Sequence, residues 1–117
     1  HRDYDTYNDH LYIVCDEGAS SLQIADLTFL PDSAPVVYDS DALILTSHNI
    51  FIDTLAGNLY TCGGATNLGP NFLSVYSLTA DPANPQFVLN CSNNVPFWNN
   101  SIGYVHDIYV ENNIVRL

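Results

Sequence analysis

Three short segments of this 117-residue chain begin alike: His1-Arg2-Asp3-Tyr4, His48-Asn49-Ile50-Phe51 and His106-Asp107-Ile108-Tyr109. Each opens with His, follows with a polar residue and puts an aromatic fourth. If the segments are equivalent strands, His1, His48 and His106 meet around a common axis, with Arg2, Asn49 and Asp107 beside them. Asp3 and Asp5 then stand where the other copies carry Ile50/Ile52 and Ile108/Val110. Such a ring suits a ligand or a divalent cation, since imidazoles favour transition metals and carboxylates favour calcium or magnesium. It equally suits a set of struts that satisfy backbone groups of the neighbouring segment, because buried polar atoms need partners. Recurrence in every copy favours the struts. Imidazole titrates near pH 6.5, so a His ring would also respond to mild acid.

Other chemistry is sparse. There is no Gly-x-Ser-x-Gly elbow, no His-Glu-x-x-His and, with no Lys in the chain, no phosphate loop. Gly63-Gly64 and Gly69-Pro70 read as turn residues. Asp16-Glu17 read as solvated loop carboxylates, with a loop calcium site completed by Asp26 or a neighbouring carbonyl as the sharper alternative. The three cysteines, Cys15, Cys62 and Cys91, match no zinc spacing and allow at most one internal disulfide. Cys15 and Cys62 read as buried thiols, and a Cys62–Cys91 bridge stays open. Asn90-Cys91-Ser92 and Asn99-Asn100-Ser101 fit the N-glycosylation pattern. Phe97 and Trp98, set among Asn residues, either pack on a sheet edge or form a contact surface for a sugar or a protein.

Two basic residues against thirteen acidic ones give a formal charge of −11, which repels phosphate backbones and argues against nucleic acid. An anionic membrane surface is disfavoured for the same reason, and no apolar run reaches the length of a membrane span. At 47% hydrophobic residues the composition is that of a folded chain. The lack of an initiator Met, and of any Met, points to a segment of a longer protein. The near absence of basic residues and the abundance of Asn, Ser, Thr and Tyr suggest an extracellular setting.

The elements that would position these residues follow from an internal repeat. Leu11-Tyr12-Ile13-Val14-Cys15 answers Leu59-Tyr60-Thr61-Cys62, and Leu22-Gln23-Ile24-Ala25-Asp26 answers Leu73-Ser74-Val75-Tyr76-Ser77. Proline steps follow, Pro31 to Pro35 and Pro82 to Pro85. Period-two patterning within each unit predicts strands throughout. Tyr7-Asn8-Asp9, Leu55-Ala56-Gly57-Asn58 and Glu111-Asn112-Asn113 predict hairpin turns. Asp16 to Ser20 and Cys62 to Asn71 read as loops, and Val36-Val37-Tyr38 and Phe87-Val88-Leu89 as outer strands. The expected fold is all-β: β-propeller blades of four antiparallel strands, in units of about 1–47, 48–105 and an incomplete 106–117. About two and a half blades cannot close a ring, since closed propellers have four to eight. The remainder is expected from the same or another chain.

Several of these residues resemble the LVIVD-repeat propellers of the choice-of-anchor B family. Leu22-Gln23-Ile24-Ala25-Asp26 is similar to the name-giving strand, as is Leu73-Ser74-Val75-Tyr76-Ser77, where Ser77 replaces the Asp. Asp81-Pro82 and Asn84-Pro85 resemble that strand's exit, while Ser47-His48-Asn49 and Tyr104-Val105-His106-Asp107 resemble its strand starts. The resemblance implies an exported surface protein held by a separate anchor. The functional expectation is a non-catalytic extracellular binding or interaction module whose partner is a protein or glycan. No cofactor is expected with certainty, and calcium or another divalent cation is the open possibility. The rivals are a metal-dependent hydrolase with its site at the channel mouth and a structural subunit of a surface assembly.

Overall fold

The computed structural model describes residues 2–17, 21–70, 73–91 and 107–117. The chain is all-β. β1 (Arg2–Tyr7), β2 (His10–Cys15), β3 (Leu22–Asp26) and β4 (Val36–Ser40) form one antiparallel sheet in chain order. β5 (Ile44–Asp53), β6 (Asn58–Thr66), β8 (Ser74–Ser77) and β9 (Gln86–Asn90) form a second with the same order, and β7 (Gly69–Pro70) folds back onto β6. β10 (Tyr109–Glu111) and β11 (Ile114–Arg116) make a hairpin. The outer strands expected at Val36 and Phe87 are β4 and β9. No closed propeller is formed by these residues.

Turn chemistry sets the hairpins. Asn8 and Asp9 both take positive φ, 47° and 58°, as do Asn112 and Asn113 at 51° and 62°. Two consecutive left-handed residues make the tight turn whose twist matches the strands, and Asn and Asp tolerate it. The β5–β6 turn is longer, Thr54 to Gly57. The Asp53 carboxylate accepts from the Leu55 and Ala56 amides there, and Gly57 sits at φ +68°.

One loop expectation fails. Cys62 to Thr66 continues β6 rather than leaving the sheet. The reason is a bulge: the pairing of β5 with β6 shifts register between Ile44 and Thr46. Gly63 and Gly64, at φ +70° and +121°, absorb the distortion. A Cβ on Gly64 would lie 2.5 Å from the Thr46 carbonyl oxygen, so only Gly fits.

The sheets stack face to face through two separate cores. Tyr12, Val14, Leu22 and Ile24 of the first sheet meet Ile44, Ile50, Ile52, Leu59, Tyr76 and Leu78, which line the β5 face. On its other face the second sheet packs Tyr60, Cys62, Leu73, Val75 and Cys91 against Ile108 and Val110 of the last segment. Each fully buried side chain of this size contributes roughly 1.5–3 kcal/mol. Tyr12 adds a polar tie, its hydroxyl donating to the Pro82 carbonyl 2.7 Å away in the second sheet's β8–β9 connection. Burial pushes that phenol's pKa up, so it stays a donor.

Two predictions follow from this packing. Gly64→Ala is expected to destabilise the fold by about 2 kcal/mol or more, through strain at positive φ and the clash with Thr46, read as a lower urea midpoint. Asp5→Ala is expected to cost about 1–2 kcal/mol and to speed hydrogen exchange at the Ile52 amide, since the Asp5 carboxylate holds that amide across the sheet junction at 2.8 Å.

Candidate functional site

The inner strands β1 and β5 lie side by side, and polar groups concentrate at the ends that carry Arg2 and His48. Asp3 Oδ2 accepts from the Ile50 amide at 3.0 Å, and Asp5 Oδ2 accepts from the Ile52 amide at 2.8 Å. Asp5 Oδ1 takes its neighbour Thr6 N–H as well, at 2.8 Å. These two carboxylates clasp β5 along the edge that β6 does not pair. They are struts, the bland reading of the sequence pattern, and they also mask an open strand edge.

The registers correct the alignment behind the expected His ring. Directly opposed residues in an antiparallel pair share a face. Asp3 opposes Val14 and Asp5 opposes Tyr12, and both partners lie in the first core, so Asp3 and Asp5 point at the second sheet. Ile50 opposes Thr61 and Ile52 opposes Leu59, and these isoleucines point back at the first sheet. The true counterparts of Asp3 and Asp5 are Asn49 and Phe51, which oppose Cys62 and Tyr60. Arg2 therefore takes the place that His48 holds. The cause is the turns, two residues between β1 and β2 and four between β5 and β6. A gapless alignment falls between the two offsets, and a slip of one residue swaps the faces. Between the second and third segments the alignment holds, since Ile108 and Val110 face the second sheet as Ile50 and Ile52 face the first. His1, His106, Phe97 and Trp98 lie outside the described residues.

His48 is mostly buried and bonds through Nδ1 to Asp16 Oδ2. With a carboxylate opposite, Nδ1 carries the proton and the ring is fixed in orientation. The same bond holds the Asp16 carboxyl below the usual carboxylate range. Asp16 is thus a hydrogen-bond partner of His48 across the sheet junction rather than a solvated loop residue. Sequence reasoning missed the pairing because 32 residues separate the two. Asp26 belongs elsewhere: it pairs with His10 at the far end of β2 and binds Thr28 through both its amide and its hydroxyl. A calcium site shared by Asp16 and Asp26 is excluded by that separation. Asp107 Oδ1 accepts from the adjacent Ile108 amide at 2.8 Å. Among the described residues no group of three His, Cys, Asp or Glu side chains is placed to hold a metal ion.

Asn49 stands out. Its side-chain oxygen is buried and has no hydrogen-bond partner among the described residues. Asp3, its counterpart one sheet back, puts a carboxylate oxygen on the Ile50 amide. The amide of Ile108, which corresponds to Ile50, is held instead by Asp107.

The two buried thiols are poor nucleophiles. Burial pushes the Cys62 thiol up to about 12, and the carboxylates of Asp107 and Asp3 push in the same direction. Burial raises Cys91 too. No disulfide joins the three cysteines, so the Cys62–Cys91 bridge is not formed. The glycosylation pattern at Asn90 is closed off in the fold: the side chain is 1% exposed and its amide donates to Ser74 Oγ at 2.8 Å.

No family model, no curated protein and no solved structure matches the chain.

Three outcomes test this geometry. Asn49→Leu is expected to stabilise the protein by about 1 kcal/mol, read by urea unfolding, because it removes a buried acceptor with no partner. Cys62 is expected to resist iodoacetamide at pH 8 in the native protein and to react once it is unfolded. A carboxyl with a lowered folded pKa stabilises the fold above its ordinary value of about 3.9, and that contribution is lost as pH falls through the lowered value. His48→Ala is therefore expected to move the Asp16 titration upward by NMR and to shrink the loss of stability below about pH 4.

Proposed function

We propose that the three sheets are consecutive blades of a β-propeller and that the assembled propeller is a non-catalytic extracellular binding module. The observation that carries the reading is the order of the inner strands. β1 lies beside β5 through the Asp3–Ile50 and Asp5–Ile52 bonds, and β5 lies beside β10, with the Phe51 and Tyr109 rings 5.5 Å apart edge to face. Antiparallel meanders that stack face to face with their first strands adjacent are what a radial arrangement requires. The similarity of Leu22–Asp26 to the LVIVD strand supports the same reading and is the reason for assigning the protein to the cell surface.

The chemistry at the strand ends supports binding over catalysis. His48 is tied to Asp16, the buried thiols are held protonated, and Asp3 and Asp5 are occupied by backbone amides. What remains for a partner is a rim of hydrogen-bonding groups, with Arg2 and Asp107 near the inner strands. The partner is a protein or a glycan, since the charge of −11 repels nucleic acid. No helix among the described residues is long and apolar enough to cross a membrane.

Elemental analysis of the intact protein, with His48→Ala alongside, tests the non-catalytic half of the proposal. No stoichiometric metal is expected in either. A stoichiometric metal that His48→Ala loses would replace this reading with the metal-dependent hydrolase. Electron microscopy of the same protein tests the other half: a disc with a central channel is expected, and an elongated stack of sheets would overturn the propeller.

A further inference from the structure

We propose that the cleft between the second sheet and the last segment binds a basic side chain, lysine or arginine, of a protein partner. The inference rests on the binding-module reading and gives that module its contact chemistry. A cavity of about 310 Å³ opens here, lined by Phe51, Asp53, Thr54, Leu55, Val110 and Asn112. It lies at the turn end of the inner strands, opposite the end that carries His48. Both walls come from neighbouring units of this chain, so a closed ring of blades keeps them together. The volume is at the small end of ligand sites and suits one long side chain.

The junction one sheet earlier shows why the cavity exists. Tyr7 opposes His10 and Asp53 opposes Asn58, equivalent places once Asp5 is matched with Phe51. Tyr7 packs against the first core, and its hydroxyl lies 3.0 Å from where a Cβ on Gly57 would stand. The phenol thus fills the space beside the β5–β6 turn. At the later junction the smaller Asp53 stands in the phenol's place. The two-residue turn of Asn112 and Asn113 likewise replaces the four-residue turn that carries Gly57. Space is left where the earlier junction is filled.

The lining matches an aliphatic stem that ends in a cation. Phe51 shares a face of β5 with Asp53 and packs against the second core, to which the opposite wall contributes Val110. Leu55 stands at the lip, 98% exposed. These groups take the methylenes of a long basic side chain. Asp53 Oδ1 accepts from the Leu55 and Ala56 amides at 3.1 and 3.3 Å, which fixes the carboxylate and leaves Oδ2 for a ligand. An ammonium or guanidinium group donates to such an oxygen through a charge-assisted bond. Neither Arg of the chain pairs with Asp53. Arg116 reaches Glu111, 4.0 Å away, and Arg2 stands at the far end of β1. A net charge of −11 draws basic partners towards the cleft and repels anionic ones.

The test titrates the intact protein with the Nα-acetyl methylamides of lysine, arginine and the neutral norleucine, and follows the NMR signals of Phe51, Leu55 and Val110. At least one basic probe is expected to bind with a Kd on the order of 1 mM, and the neutral probe at least tenfold more weakly, roughly 10 mM or above. Asp53→Asn keeps an oxygen for the Leu55 and Ala56 amides. It is therefore expected to melt as the native protein does and to weaken the basic probe about tenfold or more. Asp53→Tyr, which copies Tyr7 into the cleft, is expected to abolish binding. No shift of these signals with either basic probe up to about 20 mM overturns the site, as does equal binding of the neutral probe or binding that survives either variant. Metal analysis and microscopy judge the module and the propeller separately. A metal-free disc that ignores both basic probes loses this site and keeps the module.

Discussion

The second sheet is apolar on both faces, and everything else in the molecule is arranged around hiding them. A sheet with one wet face needs a single covering layer, whereas this one needs two. Tyr12, Val14, Leu22 and Ile24 cover the Ile50–Ile52 side, and Ile108 and Val110 cover part of the Tyr60–Cys62 side. Stacking sheets in this way fixes which strand of each lies next to which. Once Ile50 and Ile52 are buried against the first sheet, β5 lies close enough to β1 for Asp3 and Asp5 to reach its backbone.

That proximity creates both the strength and the polarity of the inner edge. The outward amides of β5 would otherwise form an open strand edge, a template for pairing with another chain. Two carboxylates close it, and each charge-assisted bond is stronger than a neutral one. The same closeness brings Asp16, on the connection after β2, to His48 at the start of the inner strand. The acidic composition thus serves the junction directly: at least three carboxylates tie the first sheet to the second.

A division of labour between the two sheets follows. The polar groups at the sheet junction are spent on holding it, and the thiols beside them are kept neutral by burial and nearby negative charge. Asn49 is the exception, a buried acceptor left over at the place where Asp3 makes a strut one sheet earlier. The first sheet's other face sets Leu11, Ile13 and Ala25 beside a carboxylate, Asp39, that Gln23 and Ser21 orient.

Much of the fold was legible in the residues. Period-two alternation located β1 to β5 and β8 to β11, and the Asn-Asp and Asn-Asn pairs located two-residue turns, because these signals are local and arise from backbone sterics and side-chain pleat. The amphipathic faces of Tyr12/Val14 and Leu22/Ile24 were likewise written in the strand pattern. The extension of β6 through Gly63 and Gly64 was not, since glycines that read as a turn can equally absorb a bulge when a long partner strand lies opposite. Nor was the partnership of His48 with Asp16, which depends on how two sheets stack. The matching of Arg2 with His48 hinged on two extra residues in a distant turn. Alternation along a strand says which residues share a face; only the stacking of the sheets decides which face packs on which, and which carboxylate meets which amide.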